Sequence, residues 1–173
     1  GNGRVRLEFI VPARGLIGFR SQFLTLTSGS GIMTHIFDHY GPVKRAELGG
    51  RVNGVLVSMV KGKTLAYALY TLQERGRLFV DPNKDVYEGQ IVGLHSRGND
   101  LVVNPTKAKQ LTNVRASGTD EALILTPPVR HSLEQALEFI EDDELVEVTP
   151  DSIRLRKKLL LEHERKRAAR SAA

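Results

Sequence analysis

The chain has 173 residues, a net charge of +5 and no cysteine. That length suffices for one or two domains with buried cores. The lack of cysteine excludes disulfides, thiolate metal sites and cysteine nucleophiles, and fits a reducing cytoplasm. No run of about 18 apolar residues exists, which excludes a membrane-spanning helix, and no signal peptide opens the chain. The start, Gly1-Asn2-Gly3, reads as that of a fragment or a processed chain. The charge is uneven: Arg154 to Arg170 holds eight basic and two acidic residues, and the remainder holds 17 basic and 18 acidic ones. A basic tail from about residue 154 fits nucleic acid, an acidic partner or plain solvation.

Taken in order, Arg4 to Val11 alternates apolar and polar residues and stops at Pro12, which predicts a strand. Leu16, Ile17, Phe19, Phe23, Leu24 and Leu26 follow a helical period, predicting a helix over 14–27, closed by Ser28-Gly29-Ser30-Gly31. Gly31 to Phe37 returns as a strand. Three elements are too few for an independent sheet, so this β-α-β unit needs completion by other chain. Residues 41–50, with Pro42 and the Gly49-Gly50 pair, read as a linker.

Beyond it the period is two. Val52–Val60 predicts a strand, Lys61-Gly62-Lys63 a turn, and Thr64–Tyr70 its hairpin partner. A helical turn at 71–75 capped by Gly76, an extended 77–80, and a turn at 81–84 follow. Val86–Leu94 predicts a strand bent at Tyr87-Glu88-Gly89-Gln90, as in a small barrel. Leu101-Val102-Val103 is a short strand, and Ala122–Leu125 another, before the Pro127-Pro128 break. Ser132 with Gln135 forms a capping box for a helix burying Leu133, Ala136, Leu137 and Ile140. The acids Glu141 to Glu144 read as its solvated end. Leu145–Val148 and Ser152–Arg156 predict a closing strand pair, and residues past Leu159 a frayed helix.

Between the strands at 101–103 and 122–125 lies a polar excursion, Asn104 to Ser117. It carries Lys107, Lys109 and Arg115, the polar side chains Asn104, Gln110, Thr112 and Asn113, and no acid. Long excursions from a compact domain are functional or disordered. Cations bind phosphate by charge, and amides or hydroxyls add hydrogen bonds to phosphate, sugar or base. On residues alone, a nucleic-acid contact and a solvated loop both stand. The same holds for Arg154, Arg156, Lys157 and Lys158 at the start of the tail.

No catalytic constellation is present. Gly62-Lys63-Thr64 resembles the end of a phosphate-binding loop, but position 57 is valine where that motif requires glycine, so it reads as a turn. Gly15-Leu16-Ile17-Gly18 fits the spacing of a nucleotide-clamping loop, yet its middle residues belong to the apolar stripe. His35 and His39 lack a third ligand, so no metal site is expected.

Several longer stretches carry a family resemblance. Pro12 to Arg20, Val86 to Arg97, Leu111 to Ala122, Ser132 to Ile140, Asp143 to Pro150 and Ser152 to Lys157 are very similar to the BipA (TypA) family, translational GTPases related to elongation factor G. The resemblance implies an α+β chain: 1–48 as the second half of a ferredoxin-like domain, and 49–173 as a β-rich, barrel-like C-terminal domain with a helix and a long basic loop. It implies GTP and Mg in an N-terminal G domain that this chain lacks, so no cofactor is expected here. It further implies a cytoplasmic role in ribosome assembly and stress-conditional translation. The partners would be large-subunit rRNA, A-site tRNA and the remaining domains of the same parent, with no membrane. The excursion matches the family's long loop, Asn99 to Ala122, which reaches toward the tRNA acceptor end. Arg14 and Arg20, on the polar side of the first helix, would face rRNA. A protein-interaction module without RNA contact is the alternative.

Overall fold

A computed structural model describes residues 3, 5–16, 18–43, 51–108 and 123–172. The chain divides into two compact units, Gly1–Gly50 and Arg51–Ala173. In the first, the expected helix is split. A 3-10 turn spans Ala13–Leu16 and helix α1 spans Phe19–Leu26, with Gly18 at φ +76° between them. That left-handed value favours glycine and breaks the helical run. The strands expected over Arg4–Val11 and Gly31–Phe37 form no ladder among the described residues. Val5, Leu7 and Phe9 stay exposed, as expected of a β-α-β segment too small to cover its own apolar face. Gly31 is required for space: a Cβ there would stand 2.5 Å from the Phe23 ring.

The second unit is built on one sheet of six strands. They are β1 (Val55–Ser58), β3 (Gly76–Leu78), β5 (Gln90–His95), β6 (Leu101–Val103), β7 (Glu144–Val148) and β8 (Ile153–Lys157). A separate ribbon pairs β2 (Gly62–Lys63) with β4 (Asp85–Val86). The path of the main sheet is β6-β1-β5-β8-β7, parallel between β1 and β6 and antiparallel elsewhere. One edge of β5 pairs with β1; the other is shared, Gln90-Ile91 by β8 and Gly93 to His95 by β3. A bulge at Leu56/Val57 bends β1.

Helices α2 (Ala66–Leu72) and α3 (Leu133–Phe139) contribute to separate apolar clusters on the sheet. Leu69 of α2 joins Leu56, Leu78, Val86, Val92 and Val103. Ala136 of α3 joins Val55, Val57, Ile91 and Leu155. All four residues of β1 are therefore buried, as befits a strand covered on both faces. A final helix, α4, spans Glu162–Ala172. Among the described residues no helix is long and apolar enough to cross a membrane.

Several expectations are revised. Thr64–Tyr70 is not a strand: its second half is α2, because Ala68, Leu69 and Leu72 turn inward at helical spacing. Lys61-Gly62-Lys63 is not a turn: Gly62 and Lys63 enter the ribbon as β2. Residues 123–125 run outside any ladder. The capping box of α3 is present, with Ser132 Oγ accepting from the Gln135 N–H, but Leu133 and Leu137 are exposed. Ala136 and Ile140 turn to the core as expected, and Phe139 joins them. The bend at 87–90 does form, with Gly89 at φ +84° and its Cα hydrogen side facing Leu160.

A Cβ on Gly89 would lie 2.6 Å from the Leu160 backbone. Gly89→Ala is therefore expected to cost about 2–3 kcal/mol, from overpacking and left-handed strain together, read from the urea midpoint. His131 sits against Phe79 and Phe139, with centroids 4.7 and 5.1 Å away, and its buried Nε2 has no hydrogen-bond partner among the described residues. Burial lowers its pKa below the ordinary 6.5. A lowered folded pKa means that stability is lost as pH falls below that ordinary value. His131→Phe is expected to remove this part of the pH dependence in urea melts between pH 7 and 5.

Candidate nucleic-acid interface

Helix α2 fixes both feet of the polar excursion. At the outgoing foot, the Asn104 side-chain oxygen accepts from the Thr106 N–H (2.9 Å) and from Thr106 Oγ1 (2.8 Å). This closes a local turn of the kind Asn favours. Pro105 is buried, and its carbonyl accepts the N–H of Leu65, the N-cap residue of α2, at 3.0 Å. At the returning foot, Gln73, the C-cap residue of α2, binds with both ends of its amide. Its Nε2 donates to the Ile124 carbonyl (3.1 Å) and its Oε1 accepts from the Thr126 N–H (3.0 Å). Three residues on, the Val129 N–H reaches the Leu78 carbonyl of β3 at 2.8 Å. Leu65 and Gln73 stand eight residues apart on one helix, so the feet are set about 12 Å from each other by the helical rise.

Of the residues expected to contact RNA here, Lys107 is exposed at the outgoing foot. The Asn104 oxygen is engaged in shaping that foot. Lys109, Gln110, Thr112, Asn113 and Arg115 lie outside the described residues. Gln73 was not singled out in the sequence, since an isolated glutamine at a helix end carries no signal of a partner fifty residues away.

The expected basic tail is different in kind. Residues 153–157 are strand β8, inside the sheet between β5 and β7. Alternation buries Leu155 and Lys157 on one face and leaves Arg154 and Arg156 on the other. Lys157 is only 2% exposed, and its ammonium lies 2.6 Å from Asp100, 2.8 Å from Asp143 and 2.9 Å from Glu144. The expectation that Lys157 faces RNA is thus corrected: three carboxylates enclose it. Burial alone would lower its pKa, but the hydrogen bonds to Asp100, Asp143 and Glu144 outweigh this and raise it.

Glu144 is equally enclosed. Arg51 grips it with two nitrogens at 2.9 and 2.8 Å and lies over the Phe139 ring, 4.5 Å from its centroid. Burial would raise the Glu144 pKa, but the hydrogen bonds from Arg51 and Lys157 prevail and hold it below the ordinary range. Glu144 is therefore not part of a solvated helix end, while Asp142 and Asp143 are exposed. Carboxylate oxygens of Glu141, Asp143 and Glu144 converge within 4.8 Å, and protein cations already neutralise them. Arg154 stands 3.8 Å from Glu147 and 3.2 Å from Ser152 Oγ. Lys158 is exposed and Arg156 half-buried. In the first unit, Arg14 in the 3-10 turn and Arg20 in α1 are both exposed.

Comparison with known proteins agrees with this architecture. Residues 53–162 match the TypA/BipA C-terminal domain, and residues 1–49 match the elongation factor G C-terminus. The chain belongs to the TypA/BipA family. It is 63% identical over 171 residues to the large ribosomal subunit assembly factor BipA of Haemophilus influenzae. It is 60% identical over 171 residues to the protein of the same name from Escherichia coli K12. The Buchnera aphidicola counterpart is 56% identical over 169 residues. These alignments cover 98–99% of this chain and 28% of each relative.

Removing one partner from a buried ionic cluster strands the others. Glu144→Ala is expected to cost about 3–5 kcal/mol in urea unfolding. Because the Glu144 pKa is lowered, the stability it contributes is present above the ordinary value of 4.5 and is lost as pH falls below it. The variant should therefore show a flatter stability profile than the wild type between pH 5 and 3.

Proposed function

We propose that this chain is the RNA-binding C-terminal portion of a cytoplasmic translational GTPase that acts on the large ribosomal subunit. The observation that carries this reading is the double anchoring of the 104–126 excursion across α2. With both feet held on α2, Lys107 stands exposed at the outgoing one, at the start of the basic polar stretch. The relatives' name, large ribosomal subunit assembly factor, supports the ribosome as partner. Lys107, Lys109 and Arg115 would neutralise phosphates of rRNA and of the A-site tRNA acceptor end, with Gln110, Thr112 and Asn113 as hydrogen-bonding helpers. Arg14 and Arg20 would add rRNA contacts, and Arg154, Arg156 and Lys158 further phosphate contacts. Assembly of the subunit and stress-conditional translation are the cellular roles proposed.

The match of residues 1–49 to the elongation factor G C-terminus supports reading the first unit as half of a ferredoxin-like domain. The bulged β1 and the β2–β4 ribbon support a barrel-like reading of the second. GTP and Mg would be bound by the parent's G domain. The Gly62-Lys63-Thr64 run does not fit a phosphate-binding loop: Gly62 and Lys63 lie in a strand, and buried Thr64 donates its hydroxyl to the Asp81 carbonyl at 2.7 Å.

Co-sedimentation of the full-length parent with large subunits, in a non-hydrolysable GTP analogue, tests the reading. Lys107→Ala/Lys109→Ala/Arg115→Ala is expected to weaken binding at least about 10-fold near 0.1 M salt. The log–log salt slope should become shallower by about 2–3. Undiminished binding by the folded variant would overturn it.

A further inference from the structure

The β2–β4 ribbon concentrates positive charge beside the outgoing foot of the excursion. Lys63 lies in β2, Lys61 directly precedes that strand, and Lys84 precedes β4. All three, with Lys107, are exposed. None of the four lies within ion-pairing distance of an acid among the described residues. The ribbon's two carboxylates are Asp81, which Arg130 holds at 2.9 Å, and Asp85, opposite Lys63 in the register. Among the described residues, these four cations thus stand against one carboxylate of the ribbon without an ion pair, Asp85.

The ribbon is also fixed in place. Thr64, wholly buried, receives Asn83 N–H on its carbonyl (2.8 Å) and Lys84 N–H on its hydroxyl (3.0 Å), and its own N–H donates to the Lys84 carbonyl (2.9 Å). Gly62 touches the excursion: a Cβ there would lie 3.1 Å from the Thr106 methyl carbon. The ribbon and the foot therefore lie side by side, with exposed Lys63 on the strand that touches the foot. Buried ion pairing consumes the charge of Lys157 elsewhere in the unit, while these lysines keep theirs.

We infer that the β2–β4 ribbon is a second RNA contact, in which Lys61, Lys63 and Lys84 bind the sugar-phosphate backbone next to the nucleotides met by the excursion. This rests on the RNA-binding reading above and extends it to residues that the sequence alone presents as a turn. Lysine binds phosphate as a point charge, so the contact positions RNA without reading its sequence.

The test measures binding of the full-length parent to large ribosomal subunits across salt concentrations, with Lys61→Gln/Lys63→Gln/Lys84→Gln and the excursion intact. The salt slope should become shallower by about 2, with a several-fold loss of affinity near 0.1 M salt. If this variant binds like wild type while the Lys107/Lys109/Arg115 variant is weakened, the ribbon inference fails and the excursion reading stands. If neither variant is weakened, both fail. Amine acylation of the unmutated protein reads the same surface without depending on a variant's folding. Subunit binding should protect Lys61, Lys63 and Lys84, and retained reactivity overturns the inference. Cross-links from these lysines should run to RNA; cross-links to ribosomal protein alone would overturn the assignment of the partner.

Discussion

The second unit depends on one buried ammonium and the carboxylates around it. Lys157, at the end of β8, draws in Asp100 before β6, Asp143 ahead of β7, and Glu144 at the start of β7. Arg51, where the unit begins, completes the cluster from the other side of Glu144. Asp100 also accepts the Val55 N–H through its Oδ1 at 2.9 Å, which ties the cluster to the first residue of β1. Four stretches distant in sequence meet at one end of the sheet. Desolvating these ions is costly, so the cluster is tolerated only because each charge has close opposite partners. An ionic cluster of this kind is demanding about register, since a slip of one residue in β8 would turn Lys157 to the opposite face.

From that fixed end the sheet carries the two helices, and α2 carries the excursion. Two groups of cations in the second unit differ in exposure. Arg51 and Lys157 are enclosed and ion-paired, and they determine how strands meet. Lys61, Lys63, Lys84 and Lys107 are exposed and unpaired among the described residues, on elements that Thr64 and Pro105 hold rigid. A net charge read from composition adds the two populations together, although only the second is available to a partner.

Much of the framework is legible in the sequence: the closing hairpin, the Ser132/Gln135 capping box and the bend at Gly89 each rest on local chemistry. The failures have physical causes. Thr64 to Leu72 carries both an alternating and a helical pattern, and the inward turn of Ala68, Leu69 and Leu72 decides for the helix. Lys157 looks like part of a solvated run, because a run of cations hides the period of two. A signal was available: with the turn at 149–152, the hairpin register places Glu144 opposite Lys157 and Glu147 opposite Arg154. Both pairs are ionic in the structure. The grip of Gln73 on residues 124 and 126 had no such signal, because it depends on where a distant segment returns.

A double-mutant cycle on Glu144→Gln and Lys157→Met, followed by urea unfolding, tests most directly whether the cluster acts as one unit. Cooperative closure predicts that the double variant loses clearly less than the sum of the single losses, with a coupling of about 1–3 kcal/mol. Additivity within about 0.5 kcal/mol would show that the two charges act independently, and would contradict the account of the fold given above.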